Sequence, residues 1–150
     1  MSKSTEFNRE FRKSDEELPS QVTDRYWVYA YRQTGNYPRA TINSGKWLVF
    51  VKLDELDETW LKIKKSVEEG RLGNSAKAAT ALHHPMAIDS ITKVICVYTY
   101  DWTDKEDVMK IRKELRKLGI TWKISYKADI DTRMGNYRKR GKEKISKYYI

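Results

Sequence analysis

The fold is indicated most clearly by residues 93–120, KVICVYTYDWTDKEDVMKIRKELRKLGI. The first part, Lys93–Trp102, is rich in β-branched and aromatic residues and predicts a strand. In Thr103–Glu106 a hydroxyl is followed three residues later by a carboxylate, which is typical of a capped helix start. An apolar stripe at helical spacing follows and ends at Gly119; it consists of Val108, Ile111, Leu115 and Leu118. The stretch therefore predicts a strand and then a helix that packs through one face.

Strand patterns recur on both sides of this unit. Four further segments are predicted as strands: residues 25–32, 46–51, 75–81 and 121–127. A helix that begins after Asp54 or Asp57 and ends at Gly70 lies between the second and the third of them. This order predicts the α+β class, with a mainly antiparallel sheet and helices packed on one face. A parallel βαβ unit around the second helix remains the alternative.

The chain length of 150 residues fits a single domain. Residues 1–22 are mostly polar and charged, so we expect a flexible N-terminal arm that is closed near Pro19. Residues 23–150 are then one α+β domain with a basic C-terminal tail. The chain has no apolar run near the ~20 residues that span a bilayer, and its start lacks a hydrophobic signal core. We therefore expect a cytoplasmic protein that does not contact membranes.

The formal net charge of +9 predicts an anionic partner, either nucleic acid, a nucleotide, a phosphoprotein or acidic lipid. The alternative is that this charge serves only solubility. The single cysteine, Cys96, lies in an apolar run and is expected to be a buried thiol. One cysteine and the adjacent pair His83 and His84 do not make a zinc site. Since nucleotide-binding glycine motifs are also absent, we expect no metal and no cofactor.

Residues 126–141, YKADIDTRMGNYRKRG, combine cations, carboxylates and tyrosines within a short stretch. Arg133 and Arg138 carry planar, forked donors that suit phosphate oxygens. Asp129 and Asp131 are expected to orient lysine or arginine neighbours, with Mg²⁺ binding and turn capping as the alternatives. The stretch therefore favours a site for a phosphorylated, planar ligand.

Four motifs together resemble the Bles-type family, named after a basophilic-leukaemia-expressed protein. They are residues 45–50 (GKWLVF), 72–77 (LGNSAK), 94–99 (VICVYT) and 126–137 (YKADIDTRMGNY). The resemblance runs from about Trp27 to Tyr137. It implies a curved antiparallel sheet backed by helices, similar to the eukaryotic cap-binding translation initiation factors.

Cap binders hold a methylated guanine between two tryptophans and its phosphates on arginine and lysine. The resemblance therefore implies binding of a nucleotide or an RNA 5′ end in a basic, aromatic-lined concave sheet face. The candidate phosphate-binding residues are Lys46, Lys127, Arg133 and Arg138. The candidate stacking residues are Trp27, Trp47, Trp102 and Tyr137, although no motif matches one of these tryptophans to a cap-binding one, and core packing is the alternative.

Bacterial and archaeal members of the same family are labelled phosphothreonine lyase domain proteins. That label implies a metal-independent β-elimination, in which a lysine removes the α-proton and a histidine acts as general acid. Lys77 is the candidate base, and His84 is the candidate acid if its loop folds back over the sheet. Leu48 stands where the lyase pattern has its histidine. The sequence therefore leaves open whether the protein is an enzyme; no obligate protein partner is indicated.

Overall fold

A computed structural model describes residues 11–87, 89–133 and 146–150. Its sheet has six strands in the order β1-β3-β4-β2-β5-β6, and every neighbouring pair is antiparallel. The strands are β1 (Trp27–Tyr31), β2 (Gly45–Lys52), β3 (Ser75–Ala79), β4 (Thr92–Thr99), β5 (Ser125–Ala128) and β6 (Tyr148–Tyr149). The predicted α+β class with a curved antiparallel sheet is confirmed.

The described chain has three α-helices, α1 (Leu53–Glu68), α2 (Lys105–Lys117) and the short α3 (Asp129–Arg133), and a short 3₁₀ helix at Pro19–Gln21. The predicted capping of α1 by Asp54 or Asp57 is wrong, because the cap position is Lys52 and no side chain bonds there. At the start of α2 the cap lies one residue later than predicted: Asp104 accepts from the backbone N–H of Asp107. A carboxylate there also complements the positive end of the helix dipole.

The main core lies between the sheet and helices α1 and α2. Alternate residues of β2 (Trp47, Val49 and Val51) are buried on this face, because successive side chains of a strand point to opposite faces. The prediction that Trp47 stacks on a ligand is wrong. Its side chain is 0 % exposed, and its Nε1 donates to the carbonyl oxygen of Val108 in α2 at 3.2 Å.

The open edge of β1 is covered by the segment that precedes it. The backbone N–H of Asp15 donates to the carbonyl oxygen of Tyr29 at 2.8 Å, and the Asp15 carboxylate accepts from the N–H of Tyr29. Ser14 accepts in the same way from Tyr31. Ser14 and Asp15, which belong to the predicted arm, are therefore docked on the edge strand, and Ser20 of the same arm bonds to Asp57 of α1. Residues 1–10 lie outside the described chain, and the proposed domain boundary stays a prediction.

A close approach at Gly45 brings β5 beside β2. A Cβ atom at Gly45 would lie 2.5 Å from the hydroxyl of Tyr126 and 2.7 Å from the carbonyl oxygen of Lys127. Only glycine leaves room for this contact. As a result Lys127 lies directly opposite Lys46 on the neighbouring strand. None of the described helices is long and apolar enough to cross a bilayer.

Candidate functional site

A cleft of about 460 Å³ lies on the face of the sheet opposite the core. Strand register arranges its floor in rows. Lys46 and Lys127 face each other at one end, and Lys77 pairs with Cys96 in the middle. The other end is mainly apolar and includes Phe50, Leu82, Met86 and Val94, with Lys93 beside them in the lining. The cleft therefore has a cationic end and an apolar end.

The cationic end is held in place by α3, which follows β5 directly. The Lys46 ammonium donates to a carboxylate oxygen of Asp129 at 2.8 Å and to the hydroxyl oxygen of Thr132 at 3.1 Å. The Ser44 hydroxyl donates to the other oxygen of Asp129 at 2.7 Å. Lys46 is only 8 % exposed, so these bonds fix its direction. Asp129 is thus in position for the orienting role that the sequence predicts.

Lys77 reaches across the sheet to the strand beside its own. Its ammonium nitrogen lies 3.9 Å from the centroid of the Trp27 ring, which is the geometry of a cation–π contact. Burial lowers the pKa of Lys77 below its ordinary value, and the nearby charge of Lys46 acts in the same direction. Trp27 and Lys77 both line the cleft. The structure therefore brings this lysine and this tryptophan together.

The loop between β3 and β4 carries His84 to the cleft. The imidazole lies 5.8 Å from the Trp27 ring and 4.9 Å from the Tyr26 ring, measured between centroids. Its Nδ1 accepts a hydrogen bond from the backbone N–H of Met86 at 3.0 Å. In the neutral ring, Nε2 therefore carries the proton. The condition placed on His84, that its loop folds back over the sheet, is met.

Trp102 and Asp131 lie outside the cleft. Trp102 follows β4 and packs against the core, and it is absent from the described lining of the cleft. Lys147 lies over its ring at 4.4 Å and forms an ion pair with Asp131 at 3.7 Å. The predicted placement of Trp102 as a stacking residue in the cleft is therefore wrong, since its ring serves to hold the C-terminal segment. In the described part of the chain, the ion-pair partner of Asp131 is Lys147, which does not line the cleft.

Three of the predicted site residues cannot be placed. Tyr137 and Arg138 lie outside the described residues. Arg133 ends α3, but only its backbone is described. Their proposed roles in stacking and phosphate binding stay predictions.

Two cleft residues were missed as site residues, although alternation along β4 offered a signal. Tyr98 and Cys96 are two positions apart and so share the face that lines the cleft. Cys96 is 4 % exposed, which confirms the prediction of a buried thiol, and burial raises its pKa to about 11. Burial also raises the pKa of Tyr98 above its ordinary range, so its hydroxyl stays neutral. Within the described residues no group of three histidines, cysteines or carboxylates could hold a metal ion.

The sequence of this chain matches a family profile. The profile, described as basophilic leukemia-expressed protein Bles03, matches residues 34–135, which is more than half of the chain. The chain belongs to the Bles03 family. The resemblance expected from residues 45–50, 72–77, 94–99 and 126–137 is therefore confirmed.

Solved structures of eIF4E proteins share the fold of this Bles03 family member. A schistosome eIF4E complexed with m7GpppG and 4E-BP superposes with a TM-score of 0.63 at 16% identity, over 90% of this chain and 75% of that chain. A C. elegans eIF4E-3 in complex with the 4E-binding protein Mextli and a cap analog gives 0.53 at 23% identity, over 72% and 65%. An Ascaris suum eIF4E-3 with an m2,2,7G cap gives 0.54 at 21% identity, over 83% and 68%. At these identities the likeness shows the fold alone.

Proposed function

We propose that the cleft binds a phosphorylated ligand with a planar ring, most simply a nucleotide or an RNA 5′ end. The observation that carries this proposal is the convergence of Lys46, Lys77 and Lys127 on one cleft that also contains Trp27. These four residues come from four different strands. The phosphates would lie at the cationic end, and the ring would stack on Trp27.

Charge supports an anionic ligand. Four lysines and no aspartate or glutamate are among the described residues that line the cleft, and one of these lysines, Lys46, pairs with Asp129. A bound phosphate would offset this excess of positive charge through charge-assisted hydrogen bonds. Solved eIF4E structures of the same fold carry cap nucleotides, which makes this class of ligand the first to test.

The geometry favours several phosphates over one. Trp27 lies on β1 and Lys46 on β2, three positions apart in the sheet order, which corresponds to about 14 Å across the strands. Register aligns Trp27 with Phe50, so Lys46 is displaced by a further four residues, or about 13 Å, along the strands. A nucleoside triphosphate spans this separation better than a monophosphate does. Lys77, on the strand next to Trp27, would then meet the phosphate nearest the ring, and Lys46 the last one.

The test is calorimetry at low salt, in which GTP, 7-methyl-GTP or a short RNA with a 5′ triphosphate is titrated into the protein. Lys46→Met and Lys127→Met should each weaken binding about 10-fold or more, since a hydrogen bond to a charged group contributes ~1.5–3 kcal/mol. Lys123→Met is the matched control, because Lys123 lies over the exposed Tyr149 ring, away from the cleft. Absence of binding by all three probes, or equal losses in the control, would refute the proposal.

A second candidate function is a phosphothreonine lyase. The observation in its favour is that Lys77 and His84 approach the same Trp27 ring from within one cleft. A neutral Lys77 would take the α-proton, and the Cβ–O bond would break as the double bond forms. His84 would first gain a proton on Nδ1 and give up its hydrogen bond from Met86, and would then give its Nε2 proton to the leaving phosphate. The lowered pKa of Lys77 makes the neutral amine more accessible.

The lyase is tested by incubating a phosphothreonine peptide with the protein and measuring its mass. Elimination leaves a dehydrated residue, whereas hydrolysis leaves threonine. Lys77→Met and His84→Gln should both abolish the dehydrated product, and His83→Gln serves as the control. An unchanged peptide after prolonged incubation rejects this function while leaving the binding proposal intact.

A further inference from the structure

We propose that Lys77 is a specificity-determining residue that makes stacking on Trp27 depend on a phosphate in the same ligand. In the free protein its ammonium group covers the ring on which the ligand would stack, and a bound phosphate draws it away. The cleft would thereby discriminate against nucleosides and free bases. This inference rests on the proposed binding function and adds a coupling between phosphate binding and ring stacking.

The contact between Lys77 and Trp27 follows from strand register. Trp27 lies opposite Ala79, and Tyr29 lies opposite Lys77, so Lys77 and Trp27 are diagonal neighbours on one face of the sheet. The ammonium nitrogen is 3.9 Å from the ring centroid. A flat ligand stacked on this face would have its ring centroid about 4.5–7 Å from that of the indole, so the ammonium group occupies space that the ligand needs. The ammonium group and a ligand ring therefore compete for this surface of the indole.

A bound phosphate would attract the Lys77 ammonium group away from the Trp27 ring. Among the described residues no carboxylate lies within 4 Å of its ammonium nitrogen, whereas Lys46 pairs with Asp129. The Trp27 ring is therefore in direct contact with this charge, whereas Asp129 favours the charge only from a greater distance. An ammonium–phosphate contact is a stronger partner than a neutral ring. Its long side chain also lies between the ring and the cationic end, since β3 lies between β1 and β4.

The exchange predicts positive cooperativity between the two parts of a ligand. A phosphate anion alone would release the Trp27 ring, so a separate ring compound would then bind more tightly. A bound ring compound must raise the affinity for the phosphate anion by the same factor, because coupling between two binding events is reciprocal. The size of the effect is limited by the cation–π contact, which corresponds to about 2- to 30-fold in affinity.

The experiment compares guanosine, GTP and inorganic pyrophosphate as probes, with affinities measured by calorimetry at low salt. In the unmodified protein, saturating pyrophosphate should raise the affinity for guanosine. Lys77→Ala should bind guanosine about 2- to 30-fold more tightly than the unmodified protein, with no further gain from pyrophosphate. The same variant should bind GTP less tightly. Lys77→Arg keeps a cation over the ring and should resemble the unmodified protein.

Lys127→Ala is the matched control for phosphate binding without the ring contact. Lys127 lies on β5, four positions from β1 in the sheet order. Lys127→Ala should lower the affinity for GTP and leave the affinity for guanosine unchanged. If Lys77→Ala behaves in the same way, Lys77 is only a phosphate ligand and the coupling is refuted, although the binding function survives. If neither the protein nor its variants bind GTP, both proposals fail.

Discussion

Lys46 and Asp129 form an ion pair of 2.8 Å between residues that are 83 positions apart in the chain. The pair joins the start of β2 to the start of α3, and it lies beside the cationic end of the cleft. It restrains the direction of the lysine, yet it also neutralises a charge that a phosphate would use. Asp129 is therefore expected both to support the fold and to weaken anion binding.

Replacement of Asp129 with asparagine separates these two effects. Because the side chains of Lys46 and Asp129 are only 10 % and 21 % exposed, loss of the negative charge should lower the free energy of unfolding by about 1–3 kcal/mol. The affinity for pyrophosphate should rise about 3- to 10-fold, because a like charge next to the anion has been removed. Urea unfolding and calorimetry measure the two quantities.

Asp131→Asn is the control for this prediction. Asp131 lies on the same short helix but pairs with Lys147, not with a cleft lysine. Its replacement should leave pyrophosphate affinity unchanged. Tighter anion binding in both variants would indicate a general effect of net charge and not the release of Lys46.

Lys77 predicts a dependence of stability on alkaline pH. Its pKa in the folded protein is lowered from 10.5 by burial, so the unfolded chain binds its proton more tightly. Stability contributed by this group therefore rises as the pH passes from the folded pKa up to 10.5. Lys77→Met should be more stable than the unmodified protein at pH 7, and the difference should shrink by pH 10.5.

The control for the pH effect is Lys77→Arg, because a guanidinium group keeps its charge throughout this range. The stability difference between Lys77→Met and Lys77→Arg should be the same at both pH values. Urea unfolding of the unmodified protein and of the two variants at pH 7 and pH 10.5 gives the free energies of unfolding to be compared. A constant difference between Lys77→Met and the unmodified protein would contradict the lowered pKa.

The sequence predicted the strands well because their β-branched and aromatic residues are dense, and it named Lys46, Lys77 and Lys127 among its candidate site residues, all of which line the cleft. It could not tell the two faces of β2 apart. Residues 47–51 are all apolar, so both faces look buried, and only the side taken by α1 and α2 decides that Trp47 is core. The position of His84 depends on the path of a loop, which periodicity does not report.

Cys96 should be unreactive in the folded protein. It lies in the floor of the cleft at 4 % exposure with a pKa of about 11, so at pH 8 about one thiol in a thousand is a thiolate. A chromogenic disulfide reagent should label it slowly in buffer and at once in guanidinium chloride. Lys77→Met should slow the labelling further, because the Lys77 charge lowers the pKa of this thiol. Fast labelling of the native protein would mean that the cleft floor is open to solvent.

Trp47 and Trp27 lie on opposite faces of the sheet and should respond oppositely to the same substitution. Trp47→Leu empties part of a site that is 0 % exposed and removes the indole N–H that donates to the Val108 carbonyl. This should lower the free energy of unfolding by about 2–4 kcal/mol. Affinity for GTP should be unchanged wherever the variant is folded.

Trp27→Leu should do the reverse, because this ring is partly exposed and lines the cleft. We expect a loss of less than about 1 kcal/mol in unfolding free energy. GTP should bind about 10-fold more weakly, because base stacking on an aromatic side chain contributes ~1–3 kcal/mol. Urea unfolding and GTP calorimetry on both variants give the four values. A loss of GTP affinity in the folded Trp47→Leu protein, with none in Trp27→Leu, would place the ligand on the other face of the sheet.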